Sequence, residues 1–183
     1  MKGYTIYILF CFIFYHNAKM YAQPANNKVI PNDTLKWEYY VGVPDSNSNY
    51  WANTLWNVYY LYNTSFHGDT VKVKLTVWHV LQSNSWVRED KKSDELLHHE
   101  QGHFNTAILL EKEFKRAVDT TTFFIANYQQ KIDSVFKVLL KTIQQLNVEY
   151  DKETNHMWNK EAQKQWDEKI DKMIKYATNK NGE

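Results

Sequence analysis

The spacing of the apolar residues changes near residue 90 of this 183-residue chain. Before that point, in the segment 71–80, apolar residues alternate with lysine and threonine, which is the period of a half-buried β-strand. After it, apolar residues recur every three or four positions, which is the period of an amphipathic helix. Because strands come first and helices follow, the sequence predicts an α+β fold with helices packed on a small N-terminal antiparallel or mixed sheet.

The same patterns predict three strands and three helices. The predicted strands are 35–43, 54–62 and 71–80. The predicted helices are 93–118, 121–146 and 158–177, with an irregular segment at 147–157 before the last one. Ser93 is a good N-cap residue for the first helix, and the acidic residues that follow it suit the positive end of a helix dipole.

The first 22 residues are predicted to be a signal peptide. Lys2 precedes an almost wholly apolar stretch, 4–15, which is too short to cross a bilayer but has the length of a signal-peptide core. The only cysteine, Cys11, lies inside it, so the mature chain would suit an oxidising compartment. We expect an exported protein, periplasmic or secreted, without stable membrane insertion after leader removal. The predicted organisation is a signal peptide at 1–22, a flexible lead-in at 23–34, a single domain at 35–178 and a tail at 179–183.

Composition excludes several classes of protein. Hydrophobic residues make up 43% and charged residues 23% of the chain, which is typical of globular domains and argues against disorder. The formal net charge is +1, so the chain has no large basic field for nucleic acid. A single cysteine excludes cysteine-rich zinc ribbons, so any metal must be held by histidines and carboxylates.

The segment 98–104 reads HHEQGHF and contains an HExxH motif. His99 and His103 are four residues apart, so both imidazoles project from one face of a helix and can bind the same zinc ion. Glu100 lies about 100° further around the helix, where it can act as general base on a water that the ion activates. The motif therefore predicts a metal site on the first long helix.

A catalytic zinc site needs three protein ligands and an open position. The irregular segment 147–157 supplies the candidates for the third ligand, which are Glu149, Asp151, Glu153 and His156. His156 is the best of them, because its imidazole matches the other two. Asp151 would orient a ligand histidine or cap a local turn. Tyr150 is a candidate catalytic residue that donates its hydroxyl to the developing oxyanion, with a packing role as the alternative.

Three segments are distinctive in combination, namely HHEQGHF at 98–104, YDKETNH at 150–156 and the later pair Gln165-Trp166. In this combination the chain resembles a bacterial family of unknown function, described as predicted secreted zinc-dependent proteases. The resemblance covers most of 35–175. It implies a zincin-like domain in which His156 joins the two motif histidines on zinc. Met157 departs from the family pattern, in which a glycine is expected, and this bears on the shape of the loop.

These features predict an exported zinc-dependent metallopeptidase that acts on peptides or proteins. Hydrolysis of another amide, such as a cell-wall peptide, would use the same zinc chemistry. The alternative from a different class is a non-catalytic module in the cell envelope, either stabilised by zinc or rich in aromatic residues for binding. The aromatic residues available for such a platform are Trp37, Trp51, Trp56, Trp78, Trp86 and those of 59–62.

Overall fold

A computed structural model describes residues 27–179 of the chain. The predicted signal peptide, the start of the lead-in and most of the predicted tail lie outside these residues. The α+β prediction is confirmed, since most strands precede the three long helices. None of the helices in 27–179 combines the length and the apolarity that a membrane span requires.

The strands form two antiparallel sheets. β1 (Ala52–Asn53) pairs with β4 (Trp86–Val87), and the larger sheet has the order β2-β3-β5, from β2 (Trp56–His67), β3 (Thr70–Leu81) and β5 (Phe123–Phe124). Gly68, with a φ of +61°, occupies the turn of the β2–β3 hairpin, a conformation that glycine adopts at little cost. Along β3, Val71 and Val77 are buried whereas the intervening lysines are exposed, which matches the predicted alternation.

The strand predicted at 35–43 is wrong. Trp37–Tyr39 forms a short 3₁₀ helix instead, and the neighbouring Leu35 and Tyr40 are buried in the same apolar cluster as Phe104. The apolar side chains of this segment thus pack on the domain without pairing their backbone in a sheet. The preceding residues, 27–34, also contact the domain, because Lys28 bridges to Leu81 and Ile30 is buried.

The first helix, α1 (Asp94–Asp119), forms the centre of the domain. Ser93 caps it as predicted, with its hydroxyl accepting a hydrogen bond of 3.1 Å from the amide of Leu96. One face of α1 packs against the β2–β3 hairpin and the others against the two later helices. Phe104 and Phe114 are completely buried along it, so α1 is held firmly at the level of the HExxH motif and beyond.

The second helix, α2 (Tyr128–Thr154), begins later and ends later than predicted. It begins later because Phe123–Phe124 pairs with β3 before the chain can turn into the helix. It ends later because the helical backbone continues through the polar residues Asn147 and Asp151, whose side chains meet a histidine of α1. The helical period therefore continues through most of the segment predicted to be irregular. The third helix, α3 (Lys160–Asn179), packs against both α1 and α2.

Candidate metal site

Three predicted metal ligands converge on one carboxylate oxygen. His99 and His103 lie on the same face of α1, and their Nε2 atoms are 3.2 and 3.0 Å from Oδ1 of Asp151 on α2. The Nδ1 atom of His156, from the turn after α2, is 3.1 Å from the same oxygen. His99 is only 2% exposed, so the site extends from the protein interior to the surface, where His156 lies.

The turn that carries His156 has an unusual backbone. Asn155, His156 and Met157 have φ values of +47°, +51° and +84°, so three consecutive residues other than glycine adopt positive φ. Met157 is the position at which the family resemblance leads us to expect glycine, and its φ lies in the region that glycine favours. This backbone turns the chain sharply at the end of α2, so that His156 Nδ1 reaches back to Asp151.

The outer nitrogen of each motif histidine faces a side-chain amide. Nδ1 of His99 is 3.1 Å from Oε1 of Gln163 on α3, and Nδ1 of His103 is 2.8 Å from Oδ1 of Asn147 on α2. The NH₂ group of Gln163 donates to the Tyr150 hydroxyl, and that of Asn147 donates to a threonine hydroxyl on α1. Both amide oxygens must therefore accept from Nδ1–H. In the neutral tautomer that carries its proton on Nδ1, each Nε2 lone pair is then directed at the position of Asp151 Oδ1, and a free Nε2 lone pair is what metal ligation requires.

The charge of Asp151 and the charges of the motif histidines stabilise one another. Burial by itself lowers the pKa of His103, but the hydrogen bond to Asp151 and the negative charge of Glu100 outweigh burial and raise that pKa to about 9. Burial favours a raised pKa for Asp151, yet hydrogen bonds from His103 and His99 hold the pKa of its carboxyl far below the ordinary value. The site thus concentrates negative charge among imidazoles and stabilises a positive charge between them.

Ligating atoms of His99, Asp151 and His156 all lie within 4.8 Å of one another. This group could hold a metal ion, and His103 adds a further nitrogen beside it. Imidazole nitrogens and carboxylate oxygens are ligands that zinc accepts, so the donor set fits the predicted metal.

Glu100 is buried and accepts a hydrogen bond from Thr54, which in turn is held by Tyr40. The Thr54 hydroxyl, at the junction of β1 and β2, donates to Oε2 of Glu100 at 2.5 Å. The hydroxyl oxygen of Tyr40 is 2.6 Å from that of Thr54, and since Thr54 uses its only proton on Glu100, Tyr40 is the donor in this pair. Burial and then the charge of Glu100 raise the pKa of Tyr40 well above its ordinary value, so Tyr40 keeps its proton.

Tyr150, a candidate oxyanion donor with a packing role as the alternative, lies behind the His99 imidazole. The side chain is completely buried, and its ring stacks on the His99 imidazole with centroids 4.8 Å apart. Its hydroxyl donates to the main-chain oxygen of His99 at 2.9 Å and accepts from Gln163 at 2.7 Å. Burial is the main cause that raises the pKa of this hydroxyl far above its ordinary range. These contacts favour a positioning role for Tyr150.

The other histidines within residues 27–179 lie outside this cluster. His98 is exposed and pairs with Asp167 at 2.8 Å. His79 is buried between Asp33 and Glu111.

Sequence reasoning missed the residues that hold the site in place, namely Tyr40, Thr54, Asn147 and Gln163. Hydroxyl and amide side chains of these types occur throughout the chain and carry no motif. One signal was available, because Asn147, Tyr150 and Asp151 are spaced three and four residues apart and would share a face if the segment were helical.

A family model of bacterial proteins of unknown function (DUF922) matches residues 41–157. The matched residues include the HExxH motif, Asp151 and His156, and they end before α3. No curated protein and no solved structure matches the chain.

Proposed function

The chain belongs to the DUF922 family of bacterial proteins of unknown function, and from the geometry of its site we propose that it is an exported zinc-dependent metallopeptidase. The observation that carries the proposal is the convergence of three imidazole nitrogens at 3.0–3.2 Å from one oxygen. Two of these imidazoles are oriented by amides that keep their Nε2 atoms facing inward. Such pre-organisation is expected of a metal site and has no evident value for packing alone.

Zinc would be held by His99, His103 and His156, with Asp151 adjacent. Zinc bound there would lower the pKa of a water molecule toward neutrality and polarise the carbonyl group of a substrate. The chain's own residues would carry the remaining work. Gln163 and Asn147 would keep the ligand rings oriented.

Glu100 is the proposed general base. The Thr54 hydroxyl occupies Oε2 of Glu100, so Oε1 is the oxygen that would accept a proton from the attacking water. Glu100 would later return this proton to the leaving amine, which completes hydrolysis of the amide bond. The Tyr40 hydroxyl donates to the Thr54 hydroxyl and so helps to keep the Glu100 carboxylate in one orientation.

The position of Asp151 favours a second candidate function. Its Oδ1 atom lies among all three imidazoles, so it is placed as a possible fourth protein ligand. Four protein ligands would close the coordination sphere of zinc, and the ion would then stabilise the fold without catalysis. In that case the protein would be a zinc-stabilised module of the cell envelope.

The test compares metal-stripped and zinc-reloaded protein with the variants Glu100→Gln and His156→Ala. We expect one zinc per chain in the wild type, hydrolysis of an unstructured protein such as casein, and weakened zinc binding in His156→Ala. Glu100→Gln should keep its zinc and lose activity by about 10²–10⁴-fold, as is typical when a general base is removed.

The matched control is Glu95→Gln, which changes an exposed glutamate on the same helix and should behave as the wild type. Full activity of Glu100→Gln would exclude the mechanism. Zinc that raises the melting temperature without any hydrolysis would establish the second candidate. Zinc binding that is equal in the wild type and His156→Ala would make Asp151 the third ligand.

A further inference from the structure

Three aromatic side chains lie on the two chain segments that meet at the exposed edge of the candidate metal site. The Tyr50 ring packs against the His156 imidazole with centroids 5.0 Å apart and planes at 62°. Trp51, the next residue, packs against Trp158 with centroids 5.3 Å apart and planes at 80°. Tyr50 and Trp158 are 52% and 61% exposed, so both rings are accessible to a ligand.

Both chain segments that carry these rings are anchored. The loop before β1 is held by Arg88, whose guanidinium donates to the main-chain oxygen of Ser48 and whose amide donates to the oxygen of Trp51 at 2.8 Å. The turn after α2 is closed by the amide of Asn159, which donates to the oxygen of Thr154 at 2.8 Å. The rings therefore project from fixed backbone, and a ligand would meet a surface that is already formed.

We infer that Tyr50, Trp51 and Trp158 form a subsite for an aromatic or long aliphatic side chain of the peptide substrate, next to the bond that is cleaved. The inference rests on the proposed function, because it takes His156 as a ligand of the catalytic metal. A substrate carbonyl at that metal brings the flanking side chain close to the Tyr50 ring, which packs against His156. The Trp51–Trp158 pair lies on the same two segments, one residue after Tyr50 and two residues after His156.

The arrangement of the rings favours a side chain over a sugar. Tyr50 meets His156 edge to face, and Trp51 meets Trp158 edge to face, so the rings of each pair form a corner and not the flat platform on which a sugar would stack. Aromatic and aliphatic side chains fill such corners well, because edge-to-face contacts and the removal of apolar surface from water both favour them. Lys91, with its ammonium 5.0 Å from the Trp51 ring, adds a positive charge beside the corner.

The test measures binding and not turnover. Two short peptide hydroxamates, which differ only in carrying phenylalanine or alanine beside the zinc-binding group, are titrated calorimetrically into the zinc-loaded protein. We expect the wild type to bind the phenylalanine probe about tenfold more tightly, in line with burial of the larger apolar side chain. Trp158→Ala should bind the two probes within about twofold of each other. Tyr50→Ala, on the other segment, should also reduce the preference.

The control is Phe66→Ala, which removes a similarly exposed ring at the far end of β2, 53% exposed, and should keep the full preference. Equal binding of the two probes by the wild type, or an unchanged preference in both Trp158→Ala and Tyr50→Ala, would overturn the subsite and leave the proposed function intact. A zinc-loaded protein that binds neither hydroxamate would overturn the proposed function and the subsite together.

Discussion

The side chain of Tyr150 occupies the space beside the α-carbon of Gly102, so that α1 has no room for a Cβ atom at position 102. Glycine in the middle of a helix costs about 1 kcal/mol relative to alanine. That cost is offset here because the close approach brings α2 to α1 at the level of the motif, where Asp151 meets His99 and His103. The residue before the second motif histidine is thus determined by a contact with another helix.

Gly102→Ala should lower both stability and zinc affinity. Alanine is the better helix former, but its methyl group would overlap with the Tyr150 ring, which is completely buried and has no room to move. We expect a lower melting temperature and zinc binding weakened by about tenfold or more, since small displacements of supporting residues typically cost 10–100-fold in metal affinity. Thermal unfolding and zinc titration measure the two effects. Asn105→Ala, one turn further along the same helix, is the control, and a Gly102→Ala variant that matched it in both assays would contradict the prediction.

Tyr150→Phe distinguishes a positioning role from an oxyanion donor. Loss of the hydroxyl removes a buried hydrogen bond to the oxygen of His99 and another from the amide of Gln163, which together should cost about 1–3 kcal/mol of unfolding free energy. With zinc saturating, we expect kcat to fall by less than about tenfold, whereas removal of an oxyanion donor typically costs about 10²–10³-fold. A loss of kcat in the larger range, with stability unchanged, would support the catalytic role instead.

Thr54→Val and Thr54→Ser test the support of Glu100. Valine has the shape of threonine but no hydroxyl, so the Glu100 carboxylate would lose the hydrogen bond that orients it. Serine keeps the hydroxyl and serves as the matched control. We expect the valine variant to lose about tenfold or more in kcat, within the range of general-base catalysis, and the serine variant to recover most of it. Zinc stoichiometry should be one in both variants, and equal kcat for valine and serine would show that Thr54 does not act through Glu100.

A second charged cluster makes stability depend on pH. His79 is buried, with Nδ1 at 2.7 Å from Oε2 of Glu111 and Nε2 at 3.0 Å from Oδ1 of Asp33. Burial lowers the pKa of His79, but hydrogen bonds and charge from Glu111 and Asp33 outweigh burial and raise that pKa above 6.5. Burial raises the pKa of Glu111, yet His79 and Lys115 outweigh burial and lower that pKa from 4.5 to about 2.

The two shifts act in opposite directions along the pH scale. The raised pKa of His79 stabilises the fold fully below pH 6.5, and this contribution is lost as pH rises through the folded pKa. The lowered pKa of Glu111 stabilises the fold above pH 4.5, and this contribution is lost as pH falls toward about 2. His79→Gln should therefore lower the unfolding free energy by about 3 kcal/mol near pH 5.5, a typical cost of breaking a buried pair.

The deficit of His79→Gln should shrink as pH rises from 5.5 toward 9. Denaturant unfolding of metal-stripped protein measures it, and the exposed His67→Gln serves as control. A deficit that stayed constant over this range would show that the charge of His79 does not stabilise the fold.

Local spacing by itself determined the placement of the main hairpin strands before the long helices, the Ser93 cap, the alternation along β3 and the common helix face of His99 and His103. These features follow from the periods of strands and helices, which depend only on neighbours along the chain. The strand predicted at 35–43 is wrong because tertiary packing, and not local spacing, decides the backbone there. Apolar residues there are buried against α1, and a sequence pattern does not show what its side chains will pack on.

Only the tertiary structure decided how the site is assembled. Asn147 and Asp151 seemed to interrupt a helical pattern because they are polar, yet they continue α2 and face the histidines of α1. Thr54 on one side and Gln163 on the other are far from the motif in sequence and contact it only because the hairpin and α3 pack on α1. Spacing along the chain therefore determined which residues can face a metal. Packing between elements determined which residues orient them, because those contacts join segments with no fixed separation in sequence.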